Sequence, residues 1–562
     1  MKLVNLKINP WFGLSLLFAL YYSLISLHYG LSQDYLVQDD VRIHLVWLQR
    51  FNDPELFPND FIADYFVYFA PWGLKATYWL GAKLGIEPLV LAKVLPAPLG
   101  IVTAIYTYFW SLAILPRHFT AFLSSLMISQ LIWTNDDLIS ATPRAFIYPL
   151  LAAFFYYLTK KNLPACLLSM LLMGLFYPQV LLVEVAILAI RLIDRQSKFY
   201  LCWDKAKYYW LCWGLIIAAI ALFPYTLRDP QWVTVTAEQM RDLPEFNAGG
   251  RSYFYGMGWV RFFFAGDSGL CLPNFPPIIW LGFALPWVYK KQLPTIKAIT
   301  PQIIILWQTV IASLLMFAIA HLLLLKIHLP SRYTYHTLRF VLAIAFAIVL
   351  TSGGEIFFKW LKQQDNFRLK AKLLIIALVS FLTIAVVFPL IPLAVNGWMQ
   401  NWRSSKQVAT YQYLAKQPKD TLVASLSNQA NNIPAFSLRS VLVSREFAFP
   451  YHPYYHQEII ERAKATILAQ YATTPEPLLQ LIQTYGVDYI LLDRHAFTPG
   501  YLASKKWLVY SSWQDITQDA IAQIERQAAF VLPTLVVDCS VATTEQTHLL
   551  STDCIQQKLL SP

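Results

Sequence analysis

The sequence predicts an α-helical polytopic membrane protein of about eleven transmembrane helices, carrying a small extracytoplasmic α/β C-terminal domain. Three observations carry that prediction. Apolar residues come in long blocks and not at amphipathic spacing, in a chain that is 57% hydrophobic and 14% charged, whereas soluble proteins are roughly a quarter charged. When the blocks are taken as alternating spans, nearly every short Lys/Arg cluster falls on one side, the bias that orients membrane helices. From residue 396 onward the apolar runs shorten and ordinary polar content returns.

The first block, 11–29, follows Lys2 and Lys7 and precedes no small-residue cleavage site. It reads as a retained first helix with its N-terminus in the cytoplasm. Further spans are predicted at 88–115, 119–134, 145–159, 163–177, 179–193, 209–226, 276–290, 301–325, 339–356 and 373–395. Tyr177-Pro178 either separates two helices or kinks one long helix. Alternation puts Arg117, Lys160-Lys161, Lys290-Lys291 and the cluster Lys359 to Lys372 inside. It puts loops 30–87, 135–144, 227–275 and 326–338 outside, together with the tail. The chain therefore divides into a transmembrane domain, 1–395, and an extracytoplasmic α/β domain, 396–562, in a plasma (inner) membrane protein. In the tail, Asp420 to Leu426 and Gly486 to Leu492 read as strands, and Glu476 to Tyr485 and Asp515 to Ala528 as helices.

Helix orientation accounts for the net charge of +11, so no nucleic-acid partner is expected. Membrane lipids are the expected surroundings. No CxxC or Cys/His cluster suggests zinc. Cys539 and Cys554 lie in the tail and form either a disulfide or two free thiols. Nucleotide-binding glycine loops, a GxSxG elbow and a kinase set are all missing.

Three outer segments carry the candidate chemistry. In the first loop, Asp39-Asp40 precede an amphipathic stretch, Val41 to Phe51; a second follows at Pro71 to Leu84, and both suit the membrane surface. A carboxylate there can take a proton from an acceptor hydroxyl or hold a metal, and repulsion within the pair raises one pKa. The competing explanation is that Asp caps helix N-termini. His44, on the same helix face, either orients a carboxylate or is an ordinary interfacial histidine. The second loop repeats the pair as Asp136-Asp137, followed by Arg144, which begins the next span and suits a phosphate. Two acidic pairs on one face suit a divalent cation such as Mg or Mn, or else cap helix ends. The third segment, KIHLPSRYTYHTLRF, places Lys326, Arg332 and Arg339 outside against the usual bias. Arg332 and Arg339 suit a lipid phosphate, with Tyr333 beside them, and an aromatic belt with snorkelling bases is the alternative. The glycine- and aromatic-rich loop 227–275 suits a lid over a sugar, or a plain surface loop.

This layout resembles the GT-C class of membrane glycosyltransferases: many spans, an acidic pair in a long first outer loop with surface helices, and an extracytoplasmic α/β tail. The resemblance implies a polyprenyl-phosphate-linked sugar donor and a lipid or glycan acceptor at the outer face. It places the catalytic carboxylate at Asp39 or Asp40, a metal at Asp136 and Asp137, and the donor phosphate near Arg332 and Arg339. The WWDYG motif of oligosaccharyltransferases is missing from the tail, which speaks against glycosylation of protein asparagine. ELFPNDFIADYF also resembles part of a group of bacterial membrane proteins, a similarity that carries no activity with it. A transporter or flippase would place ionisable residues within spans, where Glu184 and His321 are the main ones. A non-catalytic assembly protein would use the tail as a binding module.

Overall fold

The computed structural model describes residues 9–194, 200–201, 204–227, 229–362, 369, 371–377, 380–381, 384 and 401–560. Among them, five helices are long and apolar enough to cross a membrane: Pro10–Gly30, Pro88–Ile114, Lys205–Thr226, Pro301–Leu322 and Pro330–Lys359. They mark the chain as a membrane protein. The expected spans at 119–134, 145–159, 163–177 and 179–193 are helices too, but shorter: α3 (His118–Trp133), α5 (Pro143–Thr159), α6 (Leu163–Phe176) and α7 (Pro178–Ile190), with α1 (Pro10–Gly30) and α2 (Pro96–Ile114) before them and α4 (Asp136–Ile139) between α3 and α5. Five described helices therefore reach full spanning length, and these four are of the shorter kind that a bundle tolerates. The span expected at 276–290 is a 3-10 run, Pro277–Ala284, leading into Leu285–Tyr289. The one expected at 373–395 lies largely outside the described residues.

Local sequence sets these boundaries. Asn9 caps α1, its side chain accepting from Trp11 N at 3.0 Å, with Pro10 in the first turn. Tyr177 leaves helical dihedrals (φ −148°, ψ 84°) before Pro178, so the chain forms two helices there. Helix α2 packs on both α3 and α5, and α3 is buried along nearly its whole length. A helix so enclosed by protein does not itself have to match the bilayer thickness.

The C-terminal residues form a five-stranded mixed sheet. Strand β1 (Leu36–Gln38) belongs to the first loop and β2 (Trp402–Ser404) opens the tail; the sheet itself comprises β3 (Leu422–Ala424), β4 (Ser440–Val441), β5 (Tyr489–Asp493), β6 (Ser540–Thr543) and β7 (Thr547–Ser551), in the order β4-β3-β5-β7-β6. β3 runs parallel to β4 and β5, and β7 antiparallel to β5 and β6. The helix Glu476–Tyr485 fills its expected range and stops at Gly486, whose φ of 65° supplies the left-handed cap. Cys539 and Cys554 are joined by a disulfide.

One small ladder positions the site. β1 pairs antiparallel with β2, setting Val37 opposite Arg403 and Gln38 opposite Trp402. The first loop is thereby fastened to the start of the tail. The stretch after it, Asp39–His44 and Val46–Phe51, is largely buried, so the expected surface helix lies inside protein contacts. Within it, Trp47 packs on Phe66 and Phe447. In contrast Trp72–Lys83 keeps Trp72, Trp79 and Leu80 about half exposed, as a membrane-facing helix would.

Candidate active site

Asp39 and Asp40 start their helix but do not cap it. The cap is Gln38, whose Oε1 accepts from Asp40 N at 2.7 Å and Val41 N at 3.1 Å. The backbone N–H of Asp39 donates to Asn401 O at 2.9 Å. With Gln38 as the cap, both carboxylates point elsewhere. Asp39 meets Arg42 Nη2 at 2.7 Å and Arg403 Nη2 at 2.9 Å. Burial alone would raise its pKa, but the charges of Arg42 and Arg403 outweigh burial and hold it below the usual carboxylate range. Asp40 pairs with Arg144.

Arg144 sits at the start of α5, just after Pro143, and reaches both loops. Besides Asp40 it meets Asp137 Oδ1 at 2.9 Å. Asp137 is fully buried, and its other oxygen receives Arg339 Nη1 at 3.0 Å and the Tyr148 hydroxyl at 2.8 Å. Tyr148 lies one helical turn beyond Arg144, on the same face, and Arg339 also donates to its hydroxyl at 2.6 Å. The result is a continuous relay, Asp40–Arg144–Asp137–Arg339, that joins the first acidic pair to the second. Asp136 accepts from Asn401 Nδ2 at 2.8 Å. Its pKa is raised, by burial first and then by the charge of Asp137. The repulsion expected within the first pair is thus felt in the second. Asp39 has two guanidiniums to offset its neighbour, whereas Asp136 has a neutral amide.

The third segment reaches the same place less directly. Arg332 is half-buried and pairs with Asp267 of the long loop at 3.1 Å, while the Asp267 carbonyl accepts from Ser331 N at 3.1 Å. It lies near enough to influence Arg144 and Asp137 electrostatically. Arg339 is committed to Asp137 and stacks over Tyr335, 3.6 Å from the ring centre. Tyr333 is buried and donates to Ile327 O, so its hydroxyl is spent within its own turn. His44 packs on Phe66 and Phe449, and its pKa is pushed down to about 4, by burial and then Arg251, over the opposing pull of Asp39. That environment makes it a neutral packing histidine.

A divalent metal does not fit Asp136 and Asp137 in this arrangement. Two guanidiniums already lie within 3.0 Å of Asp137, and among the described residues no group of three or more His, Cys, Asp or Glu offers a cation site. Of the two ionisable residues expected within spans, Glu184 is buried in α7 and His321 bonds Ser268 O at 3.0 Å.

No protein-family model and no curated protein matches the chain. Among solved structures, the apo form of the Archaeoglobus fulgidus oligosaccharyltransferase aligns over 90% of this chain and 72% of its own, with 12% identity and a TM-score of 0.51. The chain shares the fold of this archaeal oligosaccharyltransferase. Two further structures from Archaeoglobus fulgidus align with the same coverage of 90% and 72%. One is the oligosaccharyltransferase with a tethered acceptor peptide, at 13% identity and a TM-score of 0.49. The other is AglB with an inhibitory peptide and a dolichol-phosphate, at 11% and 0.48.

Within this shared fold, sequence reading missed Tyr148, Asn401, Arg42, Arg403 and Asp267. A signal existed for some of them. Arg144 and Tyr148 are four apart, and Asp39 and Arg42 are three apart, spacings that share one helix face. Asn401 and Arg403 had none, because only the β1–β2 ladder brings them to the first loop.

Proposed function

We propose that this GT-C chain transfers a sugar from a polyprenyl-phosphate-linked donor to an acceptor hydroxyl at the outer membrane face. The observation that carries the reading is the relay in which Arg144 holds Asp40 and Asp137 together, with Arg332 within electrostatic reach. It is supported by the fold shared with an enzyme named for oligosaccharide transfer and by the Cys539–Cys554 disulfide, which favours an oxidising, extracytoplasmic compartment for the tail.

In this reading the acceptor oxygen attacks the anomeric carbon while the bond from that carbon to the phosphate oxygen breaks. The phosphate leaves with the electron pair, and the acceptor proton passes to a first-loop carboxylate. Asp40 is the better base of the two, because Asp39 is held ionised by two guanidiniums. At rest Arg144 neutralises Asp40. A donor phosphate competes for that guanidinium, so donor binding itself frees the base while Arg144 and Arg332 take up the departing charge. The reading includes no metal step.

The test is transfer from a polyprenyl-phosphate-linked sugar by the purified protein. Asp40→Asn lowers the rate roughly 10²–10⁴-fold, whereas unchanged transfer in the Asp39→Asn, Asp40→Asn double variant refutes the mechanism.

A further inference from the structure

Two cavities lie near the site, the first sharing Arg42 and Arg403 with it. The first, about 260 Å³, lies between the first loop and the tail, with Arg42, Arg403, Arg445 and Glu446 in its wall. The second, about 320 Å³, lies between the long loop and the tail and is lined by Arg251, Tyr253, Arg261, Arg445, Lys506 and Trp507. Arg445 lines both, so the two adjoin there as a basic cleft, and Arg42 and Arg403 in the first also hold Asp39.

The charge in this cleft is not balanced. Glu446 is shared by three guanidiniums, Arg251 at 2.7 Å, Arg42 at 3.4 Å and Arg445 at 3.8 Å. Asp39 is shared by Arg42 and Arg403. Arg261 stacks over Tyr253, and among the described residues no acidic side chain lines the second cavity. Arg403, Arg445, Arg261 and Lys506 are exposed. Shared carboxylates leave guanidinium hydrogens over, and such forks bind carboxylate or phosphate bidentately. Between the charges stand groups suited to sugars. Asn428, Gln429 and Asn431 are in the wall of the first cavity, and Tyr253 and the largely buried Trp507 in that of the second.

We infer that this cleft binds an anionic glycan, a chain bearing carboxylate or phosphate groups, as the acceptor whose end reaches the first acidic pair. The inference rests on the proposed transferase reading and names its acceptor class. The concave walls and the amides favour a glycan over a membrane surface, which would meet a flat basic patch without hydroxyl partners.

Binding to the full-length protein in neutral detergent tests it, with hexagalacturonate and phosphorylated maltohexaose as probes and maltohexaose as the neutral counterpart. At least one anionic probe is expected to bind roughly tenfold or more tightly than maltohexaose, and to weaken as salt is raised. Lys506→Glu, at an exposed position, and Arg445→Glu each reduce that binding. Equal binding of neutral and anionic glycans, or binding indifferent to both reversals and to salt, overturns the inference. So does a result in which the reversals abolish association with phosphatidylglycerol vesicles yet leave glycan binding intact, which makes the cleft a headgroup site. If the anionic probes bind but no sugar is transferred, the transferase reading fails and the cleft assignment stands. If sugar is transferred to neutral acceptors alone, the transferase reading stands and the cleft assignment fails.

Discussion

Asp137 is the residue on which the most charge converges. Its carboxylate is fully buried and answers Arg144, Arg339 and Tyr148 together. Asp137→Ala would leave Arg339, itself almost completely buried, without its counter-charge, a loss of about 3–5 kcal/mol. A drop in Tm with loss of transfer is expected, and a near-neutral melting temperature would contradict the relay. Asp136 makes a separate prediction. Burial and the charge of Asp137 raise its pKa, so the folded protein holds this proton more tightly than the unfolded chain does. Its contribution is present below the unfolded carboxylate range and is lost as pH rises through the raised value. Wild-type Tm should therefore step down just above that range, and Asp136→Asn should remove the step. At this scale the sequence showed the charges without their partners. Asp40 and Arg144 lie 104 residues apart, and Asp137 and Arg339 lie 202 apart. Neither separation leaves a local periodicity to read.

Among the elements, the first loop shows how one pattern serves two environments. An apolar stripe from Val41 to Phe51 fits a membrane surface and fits the underside of a folded tail equally well, because both are apolar on one side. The β1–β2 ladder decides for the tail by tying residues 36–38 to 402–404. Gln38 then ends the ladder and caps the helix that carries the acidic pair, a role the sequence suggested for Asp. Gln38→Ala would release two backbone N–H groups at the first turn, at a cost of about 0.5–2 kcal/mol. If the cap also aims Asp39 and Asp40, transfer falls by more than this stability loss accounts for, and cap-competent Gln38→Asn recovers part of it. Equal rates for the wild type and Gln38→Ala at matched folded fraction would show the cap to be purely structural. The tail was more legible, since its helix Glu476–Tyr485 combines a clear apolar face with a glycine stop.

For the whole molecule, hydropathy located the helices but did not separate full-length spans from shorter buried ones. Hydropathy measures apolar content, and a helix such as α3, enclosed by its neighbours, is as apolar as one that faces lipid. It also gives no hint of how the long loop 227–275 and the tail dock. Glu245 of that loop is almost completely buried. Its oxygens accept from Ser512 N at 2.7 Å and Ser512 Oγ at 3.0 Å, and it stands 3.2 Å from His456 Nε2. Burial would raise its pKa, but His456 and the Ser512 bond outweigh burial and lower it. A carboxylate with a depressed pKa stabilises the docked state above its unfolded value, and that stabilisation is lost as pH falls through the folded one. Limited proteolysis should then cut loop 227–275 faster once pH drops below roughly 4. Glu245→Ala removes the same contacts at neutral pH, at about 1–3 kcal/mol for the polar groups left unpaired. Its cleavage should already be fast at neutral pH and change little on acidification. Because this loop supplies Arg251, Arg261 and Asp267, the same variant should weaken anionic-glycan binding in parallel with cleavage. Rapid cleavage with glycan affinity intact would mean that the cleft forms without the docked loop.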